Sequence, residues 1–158
     1  MRRILLLAAF VTCCALVFSS SVVLAADNWL GTWKLNVAKS KFSPGPAPQG
    51  RTLKFESTAD GIQQSADTMT SDGSPTHSGY TSKFDGVDVP WTGNPDADMA
   101  SAKKIDDNTY ANTWKKNGKT TVQVKAVVSK DGKTLTGFQT GVNAKGQKVK
   151  NVEVYDRQ

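Results

Sequence analysis

The feature that most constrains the fold is a recurring turn signal in which glycine follows aspartate, asparagine or lysine. The pairs are Asp60-Gly61, Asp72-Gly73, Asp85-Gly86, Asn117-Gly118, Asp131-Gly132 and Lys145-Gly146, with Asp106-Asp107-Asn108 as a further polar turn. An Asx-Gly pair supplies the positive φ that a tight hairpin requires. Between these turns polar and apolar residues alternate, as in Thr52 to Glu56, where Leu53 and Phe55 share one parity. A period of two predicts strands that each have one buried face.

The spacing of these strands, with no helix-period segment between them, predicts an all-β fold. An antiparallel up-and-down meander must protect its edge strands, and pairing the first strand with the last is the usual solution. We therefore predict a barrel of about 8–10 strands. The alternative is a two-sheet sandwich, which requires long crossover connections. Only the stretches Ser40 to Gly50 and Thr92 to Asp98 are long enough to provide them.

The opening strand, Trp29 to Val37, places two tryptophans on one parity with a glycine between them. Gly31 between inward-facing Trp29 and Trp33 predicts that a bulky group crosses the strand closely at that point. The stretch that follows, Ala38 to Gly50, has prolines at alternate positions 44, 46 and 48. Because prolines favour extended backbone and remove donors, we expect a stiff surface connection that covers one end of the fold.

Residues 1–26 have the pattern of a secretory signal peptide. Arg2 and Arg3 precede an apolar run from Ile4 to Phe18, and small residues allow cleavage after Ala25 or Ala26. Both cysteines, Cys13 and Cys14, lie inside this run, so the predicted mature domain, 27–158, has none. Without the two arginines its formal charge is +4, from 18 basic and 14 acidic residues. This mild and interleaved charge does not indicate nucleic-acid binding. We expect an exported protein, periplasmic or secreted.

Two motifs at the ends of the mature chain resemble those of the calycin superfamily, the lipocalins and fatty-acid-binding proteins. Gly31-Thr32-Trp33 is similar to the Gly-x-Trp that opens those barrels, and Tyr155-Asp156-Arg157 is similar to the end of their last strand. The resemblance implies a lipocalin-like barrel in which Arg157 packs across Trp33 and closes the fold. The chain also looks like a group of small exported bacterial proteins of uncharacterised function, through Lys41 to Pro46 and Thr92 to Asp98.

The sequence departs from the fatty-acid-binding pattern at its ligand site. In that family a helical lid follows the first strand, whereas this chain has the proline-rich stretch. The two arginines that the family uses for a ligand carboxylate align with Glu153 and Val124, and only Tyr155 is retained. The resemblance therefore implies a barrel cavity without the family's carboxylate site.

The patterns typical of catalysis or metal binding are weak in this sequence. His77 is the only histidine, and its parity opposes that of Tyr80 and Phe84, which predicts a solvent-exposed side chain. Asn94, Asp96 and Asp98 resemble the start of a calcium loop, but Met99 and Ile105 occupy the positions that need glycine and glutamate. The lysines of Lys115 to Lys119 lie at a predicted hairpin tip, where they protect an edge or contact an anionic envelope surface. We expect no catalytic residue, no metal and no cofactor.

The inward face of the strands contains the remaining functional signal. Parity predicts that it mixes aromatic, small and amide side chains, namely Trp33, Leu35, Leu53, Phe55, Ile62, Gln64, Ala66, Tyr80, Phe84, Tyr110, Trp114, Val122, Val124, Ala126 and Val128. Parity does not determine the last strand, because Val152 and Val154 favour one face and Val149 and Tyr155 the other. The candidate ligand-binding residues are Trp33, Phe55, Gln64, Tyr80, Asn112, Trp114, Val124 and Tyr155.

Two functions fit this interior. The first is a non-enzymatic binding protein that holds a small apolar or amphipathic molecule inside the barrel, with aromatic side chains giving burial and polar ones giving orientation. The second is a filled barrel that acts as an envelope-associated interaction or structural module without a ligand. The sequence predicts neither the ligand nor the oligomeric state.

Overall fold

The computed structural model describes residues 28–158, so the predicted signal peptide over residues 1–26 lies outside the described residues. The described chain is all-β apart from one short 3₁₀ helix, Val37–Lys39. The strands are β1 (Gly31–Leu35), β2 (Gly50–Thr58), β3 (Gly61–Met69), β4 (Pro75–Ser82), β5 (Asp85–Pro90), β6 (Met99–Asp106), β7 (Thr109–Lys116), β8 (Lys119–Val128), β9 (Thr134–Val142) and β10 (Lys148–Arg157).

The ten strands form one antiparallel sheet in the order β4-β3-β2-β1-β10-β9-β8-β7-β6-β5. The predicted meander is confirmed, and so is the pairing of the first strand with the last, because β1 lies beside β10 with Trp33 opposite Arg157. The absence of crossovers in this order excludes the sandwich alternative for the described chain. The two ends of the sheet, β4 and β5, meet at one bridge between Gly79 and Thr92, so the barrel is nearly closed.

Most hairpin turns follow the predicted glycine signals, although the turn after β2 is formed by Ala59 and Asp60, and Gly61 already pairs with Thr58. Asn117 and Gly118 both have positive φ, 50° and 74°, as a tight two-residue turn between β7 and β8 requires. Asp85-Gly86, in contrast, lies within β5, so its prediction as a turn is wrong. The corner falls at Phe84, whose φ is 56°, and the positive φ of Gly86 falls where the register between β5 and β6 shifts. The positive φ of Gly86 therefore permits a β-bulge in β5 where this strand pairs with β6.

The structure shows which face of β10 points into the barrel, which strand parity did not determine. Glu153 and Tyr155 are buried, whereas Val152 and Val154 are only partly buried. The odd-numbered residues of β10 therefore face the interior. The Glu153 carboxylate points inward, although hydrophobicity alone would favour placing Val152 and Val154 on that face. Within residues 28–158, no helix has the length and hydrophobicity needed to span a membrane.

Candidate ligand-binding site

One end of the barrel is closed by a packed aromatic base. Trp29 stacks on Phe84 at 5.9 Å between ring centroids and meets Tyr110 edge-on at 5.6 Å. Phe55 meets the same Tyr110 at 5.8 Å. Edge-on and offset aromatic pairs at these distances are favourable beyond their buried area. This end of the barrel is therefore a filled core.

Arg157 seals the base from outside. Its guanidinium carbon lies 4.1 Å from the ring centroid of Trp33. The same guanidinium donates to the backbone carbonyls of Leu30, at 2.8 Å, and of Asn28. The Trp33 indole donates to the carbonyl of Trp29 at 2.7 Å. One side chain of the last strand thus fixes both the first strand and the segment that leads into it.

Between this base and the opposite end lies a cavity of about 470 Å³. Its walls come from inward residues of β2, β3, β4, β7, β8, β9 and β10, and its mouth lies among the connections at the end opposite the base. The apolar part of the wall includes Leu53, Ala66, Trp114, Val122 and Val124. Ligand cavities in proteins are commonly of about 300–1,000 Å³, so this space is large enough for a small molecule.

A buried ion pair lies in the cavity wall between β2 and β10. The Nη1 atom of Arg51 lies 2.9 Å from both carboxylate oxygens of Glu153, and Tyr155 donates its hydroxyl proton to Glu153 Oε2 at 2.5 Å. The Glu153 side chain is only 4% exposed, whereas that of Arg51 is 24% exposed. Arg51 also donates from Nε to Thr68 Oγ1 at 3.0 Å, so three strands are linked by one guanidinium.

This arrangement sets the protonation states of Arg51 and Tyr155. Burial opposes the cation, but Tyr155 and Glu153 outweigh that effect and raise the pKa of Arg51, which stays protonated. Burial and the neighbouring Glu153 carboxylate raise the pKa of Tyr155, which stays a neutral phenol that donates its proton. The cavity wall thus contains a cation and an anion that neutralise each other.

A second polar chain runs across β3, β4 and β7. Asn112 donates from Nδ2 to the hydroxyl of Tyr80 at 2.8 Å, and Tyr80 donates to Gln64 Oε1 at 2.5 Å. Burial raises the pKa of Tyr80 well above its usual value, so this phenol is also neutral. Gln64 and Asn112 are both buried, and their hydrogen bonds to Tyr80 hold the two amide side chains in fixed positions.

The connections at the open end are tied together over the mouth. Ser43, directly before the first of the three prolines, donates its backbone N–H to Asn151 Oδ1 at 2.8 Å, and Gln49, directly after the last, donates its side-chain amide to the carbonyl of Ser71. Pro44, Pro46 and Pro48 lie between these anchors and line the cavity. On the other side, Asp96 accepts from the backbone N–H of Ala144 at 3.0 Å.

The structure brings five of the predicted candidates together in the cavity wall, namely Gln64, Asn112, Trp114, Val124 and Tyr155. The other three candidates are buried in the core outside this wall. Trp33 and Phe55 belong to the aromatic base, and Tyr80 lies behind the wall, where its hydroxyl joins Gln64 to Asn112.

Sequence reasoning missed the ion pair of the wall, Arg51 and Glu153. Arg51 has the same parity as Leu53 and Phe55, so the alternation that identified those two residues also pointed Arg51 inward. The resemblance to fatty-acid-binding proteins identified Glu153 only as the replacement of a family arginine, and it did not indicate that a guanidinium from β2 would pair with it.

In the part of the chain that the structure describes, the other side chains considered for catalysis or metal binding form no common site. His77 is exposed and lies 2.6 Å from Asp67 through Nδ1. Asn94 and Asp98 accept from backbone N–H groups of Asp96 and Asn117 at 2.9 Å each, so these oxygens cap loop donors. Among residues 28–158, no group of three or more histidine, cysteine, aspartate or glutamate side chains is arranged to hold a metal ion.

Comparison with known proteins gives a remote likeness only. No protein-family model matches the sequence, and no curated protein is similar to it. Among solved structures, the chain is similar to zebrafish ileal bile acid-binding protein complexed with cholic acid, with 9% sequence identity and a TM-score of 0.48. That match covers 83% of this chain and 99% of the zebrafish chain. A likeness at this level does not identify a ligand.

Proposed function

We propose that this chain is an exported, non-enzymatic binding protein that holds a small apolar or amphipathic molecule inside its barrel. The observation that carries the proposal is the cavity of about 470 Å³, which remains although the base of the same barrel is filled with aromatic side chains. A structural module would gain stability by filling this space, since protein interiors pack to the density of organic crystals. Export rests on the sequence pattern of residues 1–26 alone.

The composition of the wall supports an amphipathic occupant. Apolar side chains such as Leu53, Val122 and Trp114 provide burial, and the buried amides Gln64 and Asn112 provide polar groups in fixed positions. A mostly apolar wall with a few oriented polar groups is typical of small-molecule sites.

The proposal is tested by titrating the mature protein with the neutral apolar dye N-phenylnaphthylamine and following its fluorescence. We expect saturable binding to one site per chain. Val124→Phe places a ring in the cavity and should weaken dye binding by about tenfold. Displacing the ligand surface equivalent to one or two buried methylene groups costs a binding free energy that corresponds to such a change. Val127→Phe makes the same change on the opposite face of β8 and should leave the affinity unchanged.

Two results would contradict the proposal. The first is that the dye does not bind the folded protein, and the second is that Val124→Phe and Val127→Phe weaken dye binding equally. Either result would favour the alternative, an envelope-associated interaction or structural module without a small-molecule ligand.

A further inference from the structure

Three buried polar atoms in one part of the cavity wall have no hydrogen-bond partner among the described residues. They are the indole nitrogens of Trp91 and Trp114 and the Oδ1 atom of Asn112. Asn112 is 3% exposed and Trp91 is 7% exposed. A buried donor or acceptor without a partner is costly, and such groups are nearly always satisfied by protein, water or ligand.

These three residues form one continuous patch, which we call the indole–amide patch. The ring of Trp91 lies 5.1 Å from that of Trp114, and 5.1 Å from that of Tyr80 on its other side. Asn112 is bonded to the hydroxyl of Tyr80 and leaves β7 on the same face as Trp114, two residues further on. Two N–H donors and one carbonyl acceptor therefore lie on neighbouring side chains of the cavity wall.

The fourth buried atom of this kind lies elsewhere. The indole nitrogen of Trp29 also has no partner among the described residues, but Trp29 belongs to the aromatic base and does not line the cavity. It provides a matched comparison, because it is the same chemical group on a residue that does not line the cavity.

The buried charges of the wall disfavour an anionic ligand. Arg51 lies on β2, five places from β7 in the strand order, and its Nη1 is already bonded to Glu153. A carboxylate that displaced Glu153 from Arg51 would leave Glu153 without its cation, with a side chain only 4% exposed. Leaving one member of a buried ion pair without its partner is strongly unfavourable.

Resting on the proposed function, we infer that the ligand carries a neutral group that both donates and accepts hydrogen bonds, a hydroxyl or an amide, and binds it at the indole–amide patch. Each of these three atoms has less than 1 Å² of accessible surface in this structure, so the side chains must rotate toward the cavity for such a group to donate to Asn112 Oδ1 and accept from the indole N–H of Trp91 or Trp114. An acid of the same size offers no proton to Asn112 at neutral pH, and its charge faces the oxygen of that amide.

The inference is tested by calorimetric titration with decanol and decanoate at neutral pH, two probes that share a chain and differ in the head group. We expect decanol to bind about tenfold more tightly, since one or two hydrogen bonds to buried partners are of that size. The double variant Trp91→Phe/Trp114→Phe should lose this preference. Trp29→Phe, which removes the unpartnered N–H outside the cavity, should retain it.

A second variant tests the role of the ion pair. Glu153→Gln removes the anion and releases Arg51 for a ligand carboxylate, so decanoate should gain about tenfold in affinity relative to decanol. Thermal unfolding of each variant shows whether it is folded at the titration temperature. Equal gains for both probes in Glu153→Gln would contradict the assigned role of Glu153.

The outcomes separate this inference from the proposed function. Failure of both probes to bind the unaltered protein would contradict both. Equal affinities would show that the head group makes no contact with the wall, and tighter binding of decanoate would show a preference for an anion. Either result would overturn the hydroxyl or amide assignment while the binding function stands. Loss of the preference in Trp29→Phe to the same extent as in the double variant would also overturn it.

Discussion

Arg157 and Trp33 are cross-strand partners in the β1–β10 pair, and the guanidinium carbon of Arg157 lies 4.1 Å from the centroid of the Trp33 indole. This contact joins the first strand to the last at the closed end of the barrel. A cation over an indole contributes about 0.5–2 kcal/mol, depending on how far both groups are removed from water. The backbone carbonyls that the guanidinium also binds add charge-assisted hydrogen bonds to the same junction.

Trp33→Ala should lower the free energy of unfolding by about 3–5 kcal/mol, because it empties a fully buried site at the barrel base. Urea denaturation measures this loss. Lys34→Ala, on the exposed face of the same strand, serves as the control and should change stability by less than about 0.5 kcal/mol. A loss below about 1 kcal/mol for Trp33→Ala would show that this residue does not hold the base together.

Gly31→Ala should destabilise the protein by about 1–3 kcal/mol for two reasons. The φ of Gly31 is +117°, and an added Cβ would lie 2.9 Å from Arg157 Nη1. Gly45→Ala is the matched control, because a Cβ at Gly45 meets nothing within 4 Å. Equal melting temperatures for the two variants would contradict the close crossing of Arg157 over Gly31.

That crossing illustrates what the sequence could predict. A small residue between two tryptophans of one parity indicated a bulky neighbour at Gly31, and the resemblance predicted separately that Arg157 packs across Trp33. Strand alternation likewise predicted the meander, since hydrophobic parity and Asx-Gly turns are local signals. The turns and strand faces depend on residues close together in the chain, whereas the contact of Arg157 with the first strand was predicted only through the resemblance.

The cavity wall depended on contacts that no local pattern reports. The inward face of β10 could not be chosen from its valines, because Glu153 is stabilised there by Arg51, more than a hundred residues earlier in the chain. The unpartnered indoles of Trp91 and Trp114 meet only through the folded barrel. Asp85-Gly86 was misread for a different reason, because a β-bulge and a hairpin turn can both use a glycine with positive φ.

Alkaline pH should unfold the protein as a result of its buried phenols. All three tyrosines, Tyr80, Tyr110 and Tyr155, have pKa values raised mainly by burial. A folded-state pKa above the unfolded value near 10 contributes stability that is complete below about pH 10 and is lost as the pH rises further. Each phenol then lowers the free energy of unfolding by about 1.4 kcal/mol per pH unit.

Tyrosinate absorbance and circular dichroism measure this effect together. We expect the native protein to show no tyrosinate near pH 10 and then a single transition in which absorbance rises as β-structure is lost. The same chain in concentrated denaturant should titrate near pH 10 and is the control. Gradual ionisation of the phenols with the fold intact would contradict their burial.

The Arg51–Glu153 pair should show strong energetic coupling. Arg51→Leu leaves the Glu153 carboxylate buried without its cation and should cost about 3–5 kcal/mol. Adding Glu153→Leu removes that charge, so the double variant should be less destabilised than the sum of the two single variants. Urea denaturation of all four proteins gives the coupling energy.

The exposed pair Lys54–Glu56 provides the control for this cycle. Both side chains are 50% exposed, so their coupling should be below about 0.5 kcal/mol. Strictly additive losses for Arg51→Leu and Glu153→Leu would show that the buried contact carries no interaction energy.

Native mass spectrometry of the protein purified from its own source, before and after denaturing extraction, tests most directly whether the barrel carries a small molecule. We predict a reproducible excess mass on the folded chain that disappears on unfolding and is less abundant on Val124→Phe, whose added ring takes up part of the cavity. The released molecule should contain a hydroxyl or an amide. A folded chain with its bare polypeptide mass, which neither decanol nor N-phenylnaphthylamine shifts, would contradict the account.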